Sequence, residues 1–107
     1  MERKGFVIRL AEGSEHRYRE LHREVWPEVL SQIRNSNIRN YSIFLKGDLL
    51  FGYYEYVGND HEADMARMAE DERTQEWWKL TSPLQQPLGS AEEGEWWSEM
   101  ECVFHTD

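Results

Sequence analysis

The sequence predicts an α+β fold whose elements run strand, helix, strand, strand, helix, strand, and three observations carry that reading. Residues 3–10 alternate, with Phe6, Ile8 and Leu10 on one side and Arg3, Gly5, Val7 and Arg9 on the other, as a half-buried strand does. Tyr18, Leu21, Val25, Val29 and Ile33 recur at helical spacing. Two runs rich in β-branched and aromatic residues, Ile38 to Leu45 and Leu49 to Val57, flank Lys46-Gly47-Asp48, which reads as a hairpin.

The elements follow in order. Ser14 is a suitable N-cap, with Glu15 in the first turn, so the first helix is expected from Glu15 to Arg34. Pro27 lies inside it and removes a backbone donor, which predicts a kink or break beside Trp26. Asn35-Ser36-Asn37 is a turn into the hairpin. In its second strand Leu50, Tyr54 and Tyr56 face one way and Leu49, Phe51 and Tyr53 the other, so both sheet faces have apolar side chains to cover. Asn59-Asp60 caps a helix through Met65 and Met68, and a second short turn from Thr74 to Leu80 carries Trp77 and Trp78. Pro83, Pro87, Gly89 and Gly94 mark a long connection, and the last strand is expected from Trp96 to His105, with Met100, Cys102 and Phe104 on one side. This is the ferredoxin-like βαββαβ order. Two helices cover one face of such a sheet, so the other face calls for a second chain, and a symmetric homodimer joined sheet to sheet, a dimeric α+β barrel, is the simplest solution.

Composition bounds the partners. A chain of 107 residues is the size of one domain, 1–107, able to bury a core without staples. A formal charge of -9 repels nucleic acid phosphates and anionic membranes, leaving an uncharged or cationic ligand. No secretory signal, membrane-length apolar run or zinc spacing is visible, and Cys102 has no partner for an internal disulfide, so the cytoplasm is the expected compartment. Phosphate loops, dinucleotide fingerprints and HExxH are also missing, so the expected chemistry needs no cofactor.

Residues 18–28 hold the strongest chemical signal, because helical spacing sets Tyr18, His22 and Trp26 on one face. An imidazole titrates near neutrality, a phenol one turn away donates to a ligand oxygen or holds the imidazole, and an indole walls a pocket for a small sugar. A histidine and a tyrosine on an apolar helix face also serve simply as packing residues. His16, His61 and His105 fall at surface positions. Asn40-Tyr41 offers an amide and a hydroxyl, and Trp77-Trp78 offers a flat π-face for the C–H surface of a sugar, with sheet and core packing as the alternative. Five tryptophans, two pairs of them adjacent, exceed what one core face absorbs, so one of each pair is expected to reach a second surface. Cys102 alternates with Met100 and Phe104 and reads as buried and inert. Glu99 and Glu101 share a strand face and form a weaker carboxylate candidate.

The chain resembles the L-rhamnose mutarotase family over nearly its full length, through Arg3-Lys4-Gly5-Phe6-Val7, Tyr18 and His22 leading to Trp26-Pro27-Glu28, Asn40-Tyr41-Ser42-Ile43-Phe44-Leu45, Leu49-Leu50-Phe51, Trp77-Trp78-Lys79 and Val103-Phe104-His105. The resemblance implies a cytoplasmic homodimer that interconverts the α and β anomers of L-rhamnopyranose without a cofactor. By position it implies that His22 is the proton donor and that Tyr18, Tyr41, Trp77 and Trp78 contact the sugar. Two departures, Cys102 where the family's ending carries a glutamate and Thr106 where it carries an apolar residue, leave the sugar open. Three other readings stand beside this one: a mutarotase for another 6-deoxy sugar such as L-fucose, a non-catalytic sugar-binding dimer, and a cofactor-free oxygenase of the same fold.

Overall fold

The computed structural model describes all residues, 1–107, and is built on one curled antiparallel sheet with four helices. The order along the chain is β1 (Glu2–Leu10), α1 (Glu15–Arg23), α2 (Pro27–Asn35), β2 (Ile38–Lys46), β3 (Leu49–Tyr56), α3 (His61–Glu70), α4 (Glu72–Thr81), a 3-10 turn (Ser82–Leu84), β4 (Gln85–Gln86) and β5 (Ser98–Met100). The strands lie in the order β2-β3-β1-β4, and β5 also pairs with β1. Pairing Ile8 with Leu50 and Phe6 with Gly52 puts the alternating sets of β1 and β3 on one concave face, where Ile8, Leu10, Leu50, Tyr54 and Tyr56 are buried. Gly47 closes the expected hairpin at φ 61, in the left-handed region that glycine enters without steric cost.

A bulge sets which side chains of β2 reach that face. Arg39 pairs with Glu55 and Ser42 with Tyr53, so Asn40 and Tyr41 together oppose Tyr54, and Asn40 takes up the extra residue at φ 52. Ile38 faces inward before the bulge. Beyond it the alternation is reversed, so Tyr41, Ile43 and Leu45 turn inward while Phe44 is 64% exposed on the convex side. Asn40 is fastened by its side-chain amide, which donates to Glu55 Oε1 at 2.7 Å, and Tyr53 donates to the other carboxylate oxygen at 2.9 Å.

Pro27 breaks the first helix in two. Its missing N–H is harmless as the first residue of α2, and Trp26 before it is extended at ψ 135. Trp26 therefore leaves the α1 face on which helical spacing had set it. The helix begins at Glu15 as expected, although the Ser14 side chain makes no capping bond. Asp60 and Asp71 do cap, accepting from the backbone N–H of Ala63 at 3.1 Å and of Thr74 at 2.9 Å.

The expected strand from Trp96 to His105 is much shorter. Only Ser98–Met100 pair, and the connection before them contributes the two residues of β4, which pair with Arg9 and Leu10. Residues 101–107 run unpaired and exposed, with Val103 87% and Phe104 68% accessible. Cys102, read as buried from its alternation, is exposed. Alternation alone does not bury a segment when no neighbouring strand or helix lies beside it.

Behind α3, a buried carboxylate ties the layers together. Asp64 accepts from the Tyr56 hydroxyl, from Arg67 and, at 2.9 Å, from the Asn37 amide, which joins the turn after α2 to the sheet and to α3. Gly58 lies so close that an added Cβ would strike the Tyr56 hydroxyl and the Asn37 amide.

Candidate active site

The buried apolar side chains form three separate clusters, around Ile8 and Leu50, around Leu21 and Trp77, and around Ile38 and Tyr56. Between them, against the concave sheet face, the helices leave a cavity of about 1230 Å³. Tyr18, His22, Tyr41, Trp77 and Trp78, drawn from α1, β2 and α4, all line it. Glu15, Arg19 and Arg34 border it but are exposed. Arg39 and Glu55, both half-buried, also reach it but are bonded to the Arg34 carbonyl and to Asn40, and its other titratable groups are phenols and one imidazole, a lining suited to an uncharged ligand rich in hydroxyls.

Tyr18 and His22, one turn apart on α1, stack with ring centroids 4.2 Å apart and planes 24° from parallel. His22 Nδ1 lies 2.8 Å from the Tyr18 carbonyl oxygen. A carbonyl only accepts, so Nδ1 carries the proton and Nε2 of the neutral ring is left as the acceptor. Burial lowers the His22 pKa below its ordinary 6.5, and the carbonyl bond offsets this only in part. The Tyr18 hydroxyl does not hold the imidazole; the backbone of Tyr18 does. That hydroxyl instead lies 3.3 Å from Gln85 Nε2, and burial raises its pKa above 10.0.

Trp77 is 6% exposed and presents its edge to His22, with centroids 5.4 Å apart. Trp26 packs edge-on behind Trp77 at 5.3 Å, and the Arg73 guanidinium lies 3.8 Å above the Trp26 ring. Trp26 is thus a buttress of the wall and not the wall itself. Trp78, about 100° further round the helix, sits at the rim and is 37% exposed. Tyr41 is 42% exposed, and its pKa is driven upward by desolvation and by the neighbouring phenols of Tyr18 and Tyr54.

Sequence reasoning missed several lining residues. Tyr54 closes the floor 5.4 Å from Tyr41, and its hydroxyl lies 2.6 Å from His61 Nε2. Its pKa is pushed up to about 12, chiefly by burial. His61, expected at the surface, is therefore half-buried against Tyr54 and Tyr56, with its pKa lowered by burial and by Lys4. Gln85 is 8% exposed, and its Oε1 accepts the Trp96 indole N–H at 3.0 Å. Trp97 packs over Gly52, a ring carbon 3.4 Å from the place of a Cβ. The unexplained tryptophan pair was the only hint of this wall, since β4 is too short to show a period.

Of the other candidates only Asn40 borders the cavity. Asn40 binds Glu55, Glu99 faces Lys4 Nζ at 3.4 Å, Glu101 and Cys102 belong to the exposed tail, and His105 binds Asp107 at 3.0 Å. His16 is exposed, 3.9 Å from Glu20. No set of three or more His, Cys, Asp or Glu side chains is arranged as a metal site.

Comparison with known proteins finds relatives both by sequence and by fold. The L-rhamnose mutarotase from Oceanobacillus iheyensis is 32% identical over 109 aligned positions that span 100% of both chains. Among solved structures, the L-rhamnose mutarotase of Formosa agariphila superposes with a TM-score of 0.78 at 23% identity, covering 100% of both chains. A type-II polyketide cyclase, tetracenomycin F2 cyclase from Streptomyces glaucescens, superposes at 0.74 with 16% identity, over 100% of this chain and 98% of that one. Both structural likenesses speak to the fold, and the second shows it carrying other chemistry. The sequence pattern of L-rhamnose mutarotases matches residues 3–106, which leaves only the extreme termini outside, and this chain belongs to that family.

Proposed function

We propose that the protein is an L-rhamnose mutarotase acting through its one domain, 1–107, with His22 as the proton carrier and Tyr18, Tyr41, Trp77 and Trp78 holding the sugar. The observation that carries this reading is the pairing, in one apolar-walled cavity, of a neutral imidazole whose Nε2 accepts with a phenol that stays protonated. In ring opening, His22 Nε2 takes the proton of the anomeric hydroxyl, the C1–O1 bond becomes a carbonyl, and the C1–O5 bond breaks with its electrons going to the ring oxygen. The imidazolium then protonates that oxygen. Rotation about C1–C2 turns the aldehyde face, and the same steps in reverse close the other anomer. Tyr18 donates a hydrogen bond to the ring oxygen without giving up its proton, because a phenol with a pKa above 10.0 does not release it near neutrality. His22 is thus first the base and then the donor in each direction, opening and closing.

Saturation-transfer NMR on equilibrated L-rhamnose tests the reading. Native protein is expected to accelerate anomer exchange and His22→Ala to abolish the acceleration while the fold survives. Exchange at the protein-free rate overturns the rhamnose reading; L-fucose tested next separates another 6-deoxy sugar from a binding-only dimer. Oxygen uptake with an aromatic substrate, and no effect on sugars, would instead mark an oxygenase.

The convex sheet face supports a homodimer. Phe44 is 64% and Met100 39% exposed there, beside the half-buried Phe51 and Tyr53, and no helix covers them. The cytoplasm is the proposed compartment, in keeping with a lone unpaired cysteine, and no helix is long and apolar enough to cross a membrane.

A further inference from the structure

We infer that Gln85 and Trp96 are positioning residues that fix the Tyr18 hydroxyl as a donor toward the cavity, an inference that rests on the mutarotase reading. Gln85 sits on β4, paired with Leu10 of β1, so its backbone is held and its side chain is directed inward, where it is 8% exposed. A buried primary amide is costly unless both of its ends are bonded. Here both are, to partners of unequal freedom. An indole N–H donates and never accepts, so the Gln85 atom 3.0 Å from Trp96 Nε1 must be the carbonyl oxygen. That fixes the amide orientation and leaves Nε2, a donor, 3.3 Å from the Tyr18 oxygen. The hydroxyl must accept there, and its own proton is directed elsewhere. The bond to Gln85 is the only one that hydroxyl makes within the protein, so the O–H points to the cavity that Tyr18 lines.

The polarity of the relay therefore originates at Trp96, a residue that is 42% exposed and separated from Tyr18 by a whole side chain. If the middle group offered only acceptors, Tyr18 would turn its proton toward it and present only a lone pair to the ring oxygen of the sugar. Gln85→Glu makes that change with little alteration of shape, and it is reversible. An ionised carboxylate accepts from both neighbours, whereas a protonated carboxyl accepts from Trp96 through C=O and donates to Tyr18 through O–H, restoring the pattern of the amide.

Anomer exchange on L-rhamnose should be measured by saturation transfer from about pH 8 to about pH 5, each variant divided by wild type at the same pH after subtraction of the protein-free rate. Gln85→Glu is expected to lose about tenfold in kcat at the alkaline end, the order of one hydrogen bond to a group developing charge. It should regain most of that as the pH falls and the introduced carboxylate becomes protonated, with KM changing little. Gln85→Leu should show a smaller loss with no acid recovery. On a Tyr18→Phe background neither change should lower the rate further. A Gln85→Glu ratio that is flat with pH, or an equal loss on the Tyr18→Phe background, would overturn the relay. A second readout needs no activity: the Trp96 indole ¹H–¹⁵N signal, assigned with Trp96→Phe, should be protected from exchange in the wild type and should titrate in Gln85→Glu. An indole signal that is unprotected in the wild type, or unmoved by Gln85→Glu, overturns the relay whatever the rates. A wild-type protein that does not accelerate exchange while its indole is protected would refute the mutarotase reading and leave the hydrogen-bond relay standing.

Discussion

His22 and Tyr18 carry different burdens, and their substitutions should separate. Replacing His22 with Gln keeps a side chain of similar reach but removes the titrating group, so exchange should fall about 10²–10⁴-fold, the usual worth of a placed acid–base residue. Tyr18→Phe keeps the ring stacked 4.2 Å from the imidazole and removes only the hydroxyl, so a loss of about tenfold to hundredfold is expected. Saturation transfer at matched saturation with sugar distinguishes the two. The acid limb of kcat/KM should lie below pH 6.5, because burial lowers the His22 pKa and protonation removes the base. Stability should follow the same direction: the unfolded chain binds the proton more readily than the folded one, so the contribution of neutral His22 is complete above about pH 6.5 and is lost as pH falls through the depressed value. Denaturant midpoints that rise on acidification, and do so less in His22→Gln, would contradict that sign.

At the scale of elements, the β2 bulge decides whether Tyr41 can take part. Asn40 at φ 52 occupies a region open to asparagine and glycine but strained for a β-branched residue, so Asn40→Val should destabilise by about 1–3 kcal/mol and should misdirect Tyr41. Asn40→Gly, which keeps the dihedral and loses only the bond to Glu55, should retain most activity; chemical denaturation with an exchange assay on both variants checks this. The bulge also shows where sequence reading ends. The strand, hairpin and helix starts were legible because local periodicity and Pro27 act over a few residues. So was the α1 pair of Tyr18 and His22, since one helical turn fixes it. Tyr41 was legible as a hydroxyl at the start of its strand and in a family motif, but its direction was not, because one inserted residue reverses inside and outside without changing composition. Gln85 was invisible, since two paired residues have no period, and the Trp96–His105 strand was overextended because alternation does not reveal whether a neighbour lies alongside.

For the whole molecule, a cavity of about 1230 Å³ lies amid three separate clusters, so a ligand that enters it binds the folded chain and not the unfolded one. L-rhamnose at about ten times its Kd should therefore add about 1.4 kcal/mol and raise Tm by several degrees, whereas a sugar that does not enter should leave Tm unchanged. The convex face makes an independent prediction: light scattering at micromolar concentration should give a dimer, and Phe44→Glu should give a folded monomer. A wild-type monomer would sink the dimer. Four of the five tryptophans line the cavity and the edge of one of them meets His22, so the protein has an optical reporter built into its own walls. Indole emission changes when water leaves a pocket and is quenched by a neighbouring imidazolium, so unlabelled protein should signal both the arrival of a ligand and the charge state of the residue that meets it.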